Sequence, residues 1–342
     1  MSTTRTRVAL GGFGGWGQMH ARAIAAIEDA EVVAVYCHGE ASRNAAAAQL
    51  PDVPRFADYG AMLAAGGFDV VSVTVPNHVH AAFAVAALEA GAHVFLEKPL
   101  GLTLAECDQV IAAARRTGRR VTLDHELRVS RQWGAIRDIV AAGDVGRVRY
   151  QHFSLFRHPF RPGSGGWRHD PARVGSWILE ELVHFYDLVL WYAAENGPPA
   201  RVRAFGEPAV AGLVANFSTL LEWHDGSTAL LTQTLAGFEH HTMHEIAGTD
   251  GAIRTWWSGA VARTTTPEFS LKVRRRGSAE AETVAVPLSG EVFELEENLR
   301  RAFAAFRSGR SPLPPEEARA SIAICLAAGE AHASSRAVDL SW

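Results

Sequence analysis

Short runs of β-branched and aliphatic residues alternate with alanine-rich stretches through the first third of the chain. This pattern predicts strands at 8–10, 32–36, 70–75, 93–96 and 121–123. Helices fit between them at 18–27, 42–49, 59–65, 80–90 and 104–115. Strand, helix and strand at such spacing call for right-handed crossovers and a parallel sheet with helices on both faces. Beyond about residue 125 the texture changes to longer alternating segments at 148–156, 215–223, 228–235 and 243–247, which predict an open, largely antiparallel sheet. Turn-forming clusters fall at 162–166, 196–199 and 311–315. The expected fold class is therefore α/β, with a doubly wound parallel sheet in residues 1–125 and an α/β domain carrying an open, mostly antiparallel sheet in 126–342, whose C-terminal helices can pack back on the first domain.

Composition narrows the class. A chain of 342 residues is long for one core, and with 48% hydrophobic and 20% charged residues it has ample material for two and no character of disorder. A net charge of −4 provides no basic face for nucleic acid. Cys37, Cys107 and Cys325 show neither paired nor metal-like spacing, which fits a reducing compartment. The first residues run straight into the first strand without a signal peptide's apolar segment, and no stretch approaches the roughly 20 apolar residues of a membrane span. The expectation is a cytoplasmic protein with no membrane or nucleic-acid partner.

Chemistry enters at the end of the first strand. The segment V-A-L-G-G-F-G-G-W-G, residues 8–17, breaks into G-x-G-x-x-G at Gly12, Gly14 and Gly17, with Phe13, Gly15 and Trp16 between them. A buried strand, this spacing and then a helix form the strand-turn-helix of a dinucleotide-binding Rossmann domain. Gly12 suits the tight turn, Gly14 a close approach of backbone to pyrophosphate, and Gly17 close helix packing, while the helix N-terminus offers free N–H groups to the phosphates. An acidic residue closing the second strand ordinarily bonds the adenosine ribose of NAD. Cys37 holds that place here and Glu40 lies past it, so the 2′-phosphate of NADP is not repelled, and His38, Ser42 and Arg43 stand where they can meet it. Both NAD and NADP fit this reading.

Two loops should face the nicotinamide end, because ligands bind outside the carboxyl ends of parallel strands. T-V-P-N-H-V-H, residues 74–80, carries Pro76, Asn77 and His80; E-K-P, residues 97–99, carries Glu97 and Lys98. Pro99 pushes Lys98 into an extended conformation. A third group lies in residues 175–192, where Glu180, His184 and Asp187 fall at i, i+4 and i+7 on an otherwise apolar helix. Such a row is either internally paired, or a metal pair at Glu180 and His184, or acid–base machinery. A histidine beside a carboxylate favours the last, and the absence of a third ligand with recognisable spacing leaves no metal expected. The segments 157–161 and 165–171 lead into this helix, and Arg157, His158, Trp167 and Arg168 are candidate substrate contacts. H-H-T-M-H at 240–244 lies on a predicted strand and reads as an interface or pocket wall.

Together, G-F-G-G-W-G-x-x-H (12–20), P-N-x-x-H (76–80), E-K-P-L (97–100), H-x-x-D at His184 and Asp187, and H-E-I-A-G-T-D-G (244–251) resemble the glucose-fructose oxidoreductase and inositol dehydrogenase family, Gfo/Idh/MocA, over nearly the whole chain. The resemblance implies a Rossmann domain, a C-terminal domain whose open sheet covers the active site and builds homo-oligomers, and NAD(P)-dependent hydride transfer at a ring carbinol carbon of a sugar, sugar derivative or cyclitol. It implies that Lys98 bonds the reacting oxygen and that His184 takes or returns the proton. Where the family commonly has aspartate four residues before the histidine, this chain has Glu180, which keeps the charge and reshapes the pocket. Within the same resemblance stand redox-neutral glycoside cleavage by oxidation and elimination, and a non-catalytic nucleotide sensor.

Overall fold

A computed structural model of the protein describes residues 5–342. They group into two compact units. The first takes the chain through Asp124 together with Ala172–Val174 and Leu295–Arg319; the second comprises His125–Pro171, Gly175–Glu294 and Ala320–Trp342.

In the first unit the chain runs β1 (Thr6–Gly11), α1 (Gly15–Ala25), β2 (Ala30–Tyr36), α2 (Glu40–Gln49), β3 (Arg55–Phe56), α3 (Tyr59–Ala65), β4 (Val70–Val73), α4 (His80–Glu89), β5 (His93–Leu96), α5 (Leu104–Thr117) and β6 (Val121–Leu123). The strands form one sheet in the order β3-β2-β1-β4-β5-β6, with every pair parallel. That is the doubly wound order whose crevice opens at the carboxyl ends beside β1 and β4. Register brings those ends level, because Gly11 lies opposite Tyr36 on one side and Val73 on the other. Val8, Leu10, Val35, Val70 and Phe95 of the sheet pack with Ala21 and Ile24 of α1 and with Leu299, Phe303 and Phe306. Each large side chain so buried stabilises the fold by about 1.5–3 kcal/mol.

Two of the boundaries that differ from the sequence reading have a local cause. β4 stops at Val73, not at 75, because Thr74 turns back to β1: its N–H donates to the Gly11 carbonyl at 3.1 Å and its Oγ1 to the Gly12 carbonyl at 3.0 Å. α1 starts at Gly15, three residues earlier than the apolar pattern indicates, since glycines with poor helix propensity make its first turn.

The second unit holds α6 (Arg131–Ala141), β7 (Val148–Phe156), α8 (Val183–Tyr192), β8 (Arg201–Pro208), β9 (Val214–Glu222), β10 (Thr228–Thr234), β11 (His240–Gly248), β12 (Ala252–Gly259), β13 (Glu268–Arg274), β14 (Glu282–Thr283) and β15 (Val338–Asp339). A short α7 (Pro171–Val174) and α9 (Glu291–Arg307) lie mostly in the first unit, and α10 (Pro315–Ser334) begins in the first and continues in the second. The nine-stranded sheet has the order β14-β13-β12-β11-β7-β10-β9-β8-β15, antiparallel apart from the β10–β7 pair. One face packs on α8, where Phe153 stacks on Phe185 at 4.1 Å. The other leaves Tyr150, Phe156 and Phe205 exposed.

A further correction concerns residues 175–192. Ile178–Leu182 form a π-helical turn ahead of α8, so Glu180 and His184 do not share the uniform α-helical stripe that their spacing indicates. In β11 the alternate residues Thr242 and His244 enter the packed face, and His244 lies against Phe153, Tyr192 and Trp133. Among the described residues no helix is long and apolar enough to cross a membrane.

Candidate active site

In the first unit the glycines of the turn after β1 divide into two kinds. Gly12 has φ +132°, and a Cβ there would lie 2.8 Å from the Thr74 carbonyl oxygen; at Gly17 it would lie 2.3 Å from the Gly12 oxygen. Those two positions are closed by the protein itself. At Gly14 and Gly15 a Cβ would meet nothing within 4 Å. Gly14, at φ −76°, caps α1 without a side-chain hydrogen bond, so the first N–H groups of the helix face an open space kept clear of side chains. This cradle fits the pyrophosphate of a dinucleotide. Phe13 is buried in the core and anchors the turn, and Trp16 is half-buried.

At the end of β2, Cys37 is wholly buried, its Sγ lies 3.6 Å from the Ser42 carbonyl oxygen, and burial pushes its thiol up. Ser42 is spent on the start of α2: its Oγ accepts from the Gly39 N–H at 3.2 Å and donates to the Gly39 carbonyl at 2.8 Å. His38, with Nδ1 3.2 Å from the Tyr36 hydroxyl, and Arg43 are exposed.

The loops after β4 and β5 are tied together. Both ring nitrogens of the buried His80 meet backbone carbonyls, Nδ1 that of Pro99 at 2.7 Å and Nε2 that of Val75 beside Pro76 at 2.8 Å. Asn77 is buried and its Nδ2 donates to the Val174 carbonyl at 3.1 Å. Within Val94–Leu100 every residue is buried except Lys98, which is half-buried and joined to Pro99 by a cis peptide bond. Glu97 turns inward, its Oε1 lying 2.9 Å from Nε2 of His20. Behind it stand Ser72, Asp124 and Asn298, which the sequence pattern does not single out because they are joined only through the tertiary fold.

In the second unit His184 is 7% exposed. Its Nδ1 lies 3.6 Å from Oε2 of Glu126, and the ring of His125 stands edge-on at 5.4 Å. Glu126 is a carboxylate to which the i, i+4, i+7 pattern does not point. Glu180 is buried and its Oε1 accepts from Nε of Arg168 at 2.7 Å. Asp187 takes both arms of Arg128, at 2.7 and 2.8 Å. Arg157 pairs with Glu181. The segment that precedes α8 is folded down by these pairs, by the Trp177 indole donating to the Arg168 carbonyl at 2.8 Å, and by the guanidinium of Arg168 4.6 Å from the Trp167 ring centroid. His158 remains exposed. A buried histidine next to a half-buried carboxylate, beside arginine-held acids, can accept and return a proton.

These features define a dinucleotide-dependent oxidoreductase, and similarity to known proteins identifies its family. Residues 6–125 match the model of the oxidoreductase family with NAD-binding Rossmann fold, and residues 133–254 match the GFO/IDH/MocA C-terminal domain. The chain belongs to the Gfo/Idh/MocA family of oxidoreductases, whose first domain binds NAD or NADP. An uncharacterized oxidoreductase, ORF334 of Rhizobium meliloti, is 31% identical over 296 residues, 84% of each chain. The 1,5-anhydro-D-fructose reductase of Ensifer adhaerens is 31% identical over 198 residues, 54% of this chain and 56% of that protein, so the match spans just over half of that relative. Inositol 2-dehydrogenase of Acidothermus cellulolyticus is 27% identical over 74% of each chain. A solved putative NADPH-dependent oxidoreductase from Desulfitobacterium hafniense shares the fold at TM-score 0.84 and 22% identity, covering 98% of this chain and 97% of its own.

Proposed function

We propose that the protein transfers hydride between the nicotinamide of NAD or NADP and a ring carbinol carbon of a sugar, sugar derivative or cyclitol. The observation that carries this reading is Lys98, presented alone from an otherwise buried segment at the carboxyl end of β5 in a chain whose glycine cradle fits a dinucleotide. Bound nicotinamide supplies the hydride acceptor or donor. Lys98 holds the reacting oxygen and stabilises the charge that develops on it when the carbinol proton leaves. His184, with Glu126 beside it, takes or returns that proton, and Glu180 sets the pocket around the histidine. Relatives named inositol 2-dehydrogenase, 1,5-anhydro-D-fructose reductase and, in Escherichia coli at 26% identity, D-glucoside 3-dehydrogenase support the substrate class.

In the same reading residues 1–125 serve the cofactor, with His38 and Arg43 nearest the adenosine ribose. Pro76, Asn77, His80 and Glu97 shape the nicotinamide end, and residues 126–342 serve the substrate, with Arg157, His158, Trp167 and Arg168 about the histidine. The exposed sheet face bearing Tyr150, Phe156 and Phe205 is the surface through which copies of the chain associate. Three buried, free cysteines accord with a cytoplasmic setting.

The test is formation of reduced nicotinamide by purified protein, with NAD and NADP in parallel, against inositols, free aldoses, sugar acids and simple glycosides. A signal that Lys98→Met abolishes supports net dehydrogenation. Release of reducing sugar from a glycoside without net reduced cofactor would replace it by redox-neutral cleavage. Cofactor binding with no turnover of any kind would leave a sensor.

A further inference from the structure

We infer that Glu97 and Asp124 share a single proton inside a buried network, and that this network positions Lys98. Every member belongs to the first unit: His20 on α1, Ser72 on β4, Glu97 after β5, Asp124 after β6 and Asn298 on α9, all buried. The donors are fixed by chemistry. The Asn298 amide nitrogen can only donate, so Oδ1 of Asp124 accepts from it at 2.7 Å. His20 places Nδ1 2.8 Å from the Ser72 hydroxyl and Nε2 2.9 Å from Oε1 of Glu97, with Oδ2 of Asp124 3.9 Å from Nε2. With His20 neutral, the hydroxyl donates to Nδ1 and Nε2–H donates to Glu97.

One oxygen each of Glu97 and Asp124 lies within 4.8 Å of the other and of a His20 ring nitrogen, all buried, and two bare carboxylates so placed have no donor between them. One carboxyl proton closes the circuit. Burial, then the charge of Glu97, holds the Asp124 carboxyl well above the usual carboxylate range, and burial lowers His20 to about 4, which leaves the ring uncharged near neutrality. The network therefore carries one negative charge, formally on Glu97, with Asp124 protonated. The rings of Trp16 and Phe95 stand edge-on to His20 and keep it from water.

The consequence falls on the next residue. Glu97 is pinned from α1, with Asp124 at the end of β6 within 4.8 Å of it, and Pro99 is pinned through its carbonyl by His80. Lys98 is thus bracketed by two anchored neighbours, which fixes where its side chain leaves the backbone. This second step rests on the role proposed for Lys98; the shared proton does not.

Infrared spectroscopy at about pH 8, some four units above the ordinary aspartate value, tests the proton. Wild-type protein should show the carbonyl stretch of a protonated carboxyl group, shifted in heavy water and absent from Asp124→Asn. In that variant the amide donates to Glu97 and its carbonyl accepts from Asn298, preserving the bonds without a titratable proton. No such band in a folded wild-type protein, or a stoichiometric metal ion found by elemental analysis, would overturn the inference. The positioning step is read in the pH profile of kcat. Loss of the shared proton at alkaline pH adds a second negative charge behind Lys98 and holds its ammonium protonated to higher pH, so Asp124→Asn, which cannot lose that proton, should move the alkaline limb downward by about one unit or more, a tenfold change in the ionisation constant. An unchanged limb overturns the positioning role. A band with no dehydrogenase activity at all would refute the function of Lys98 and leave the proton in place.

Discussion

Nε2 of His20 lies 2.9 Å from Oε1 of Glu97, so the helix that follows the glycine turn is bonded to the residue that precedes Lys98. The glycine turn and the segment that carries Lys98 are thereby tied together within the first unit. His20→Ala leaves a buried carboxylate without its donor and a cavity behind it, and should cost about 3 kcal/mol of stability. The denaturation midpoint of the variant measures this; a midpoint equal to wild type would show that the pair does not hold the unit together.

The glycine turn makes opposite predictions for two neighbouring residues. Gly12→Ala forces a side chain at φ +132° against the Thr74 carbonyl and should lower stability by about 2 kcal/mol or more. Gly14→Ala meets no protein atom and should leave the melting temperature within about a degree or raise it, while weakening NAD(P)H binding about tenfold, 1.4 kcal/mol. Thermal melts and cofactor fluorescence titrations of the two variants separate the roles, and normal cofactor affinity in Gly14→Ala would remove the cradle from the nucleotide site.

Stability should fall as the solution is acidified below about pH 6.5. Burial lowers His20 to about 4 and His244 to about 3, from an ordinary value of 6.5. Both values are depressed in the folded state, so the unfolded chain takes up protons that the native protein refuses; the contribution is complete above the unfolded value and is lost as pH falls through the folded ones. Asp124, raised, acts in the opposite sense and loses its contribution as pH rises through its folded value. Neither ring nitrogen of His244 has a hydrogen-bond partner among the described residues, so His244→Leu should flatten the acid side of the melting-temperature profile. A profile as steep as wild type would contradict this.

Much of this architecture is written locally. β5, β6 and β7 fall at the residues where the apolar pattern places them, because each is a short buried run or alternation bounded by turn-formers, and α3 does so between the Asp58 cap and Gly66. The two-residue β3 is too short for any period to register, and the π turn at Ile178–Leu182 looks like ordinary helix in a sequence window. The same contrast holds in the candidate site. Gly12, Lys98 and His184 stand in recognisable segments, whereas Glu126, Asp124, Asn298 and Arg128 matter through partners far along the chain, and no spacing rule announces those.

Glu180 tests the proposed acid–base assembly. Glu180→Gln keeps the size of the side chain but weakens the charge-assisted bond to Arg168, and should lower kcat about tenfold and displace its pH profile. Turnover unchanged at every pH would exclude Glu180 from the site.

The central claim is hydride transfer to carbon under the control of Lys98, and isotope transfer measures it most directly. Protein supplied with an inositol, aldose or glycoside deuterated at its ring carbinol carbons should place deuterium on the nicotinamide within a single turnover, with NAD or NADP, and Lys98→Met should reduce that transfer at least about a hundredfold, near 2.7 kcal/mol of barrier. Nicotinamide that stays free of deuterium with every member of the panel, or transfer undiminished in Lys98→Met, would contradict the account.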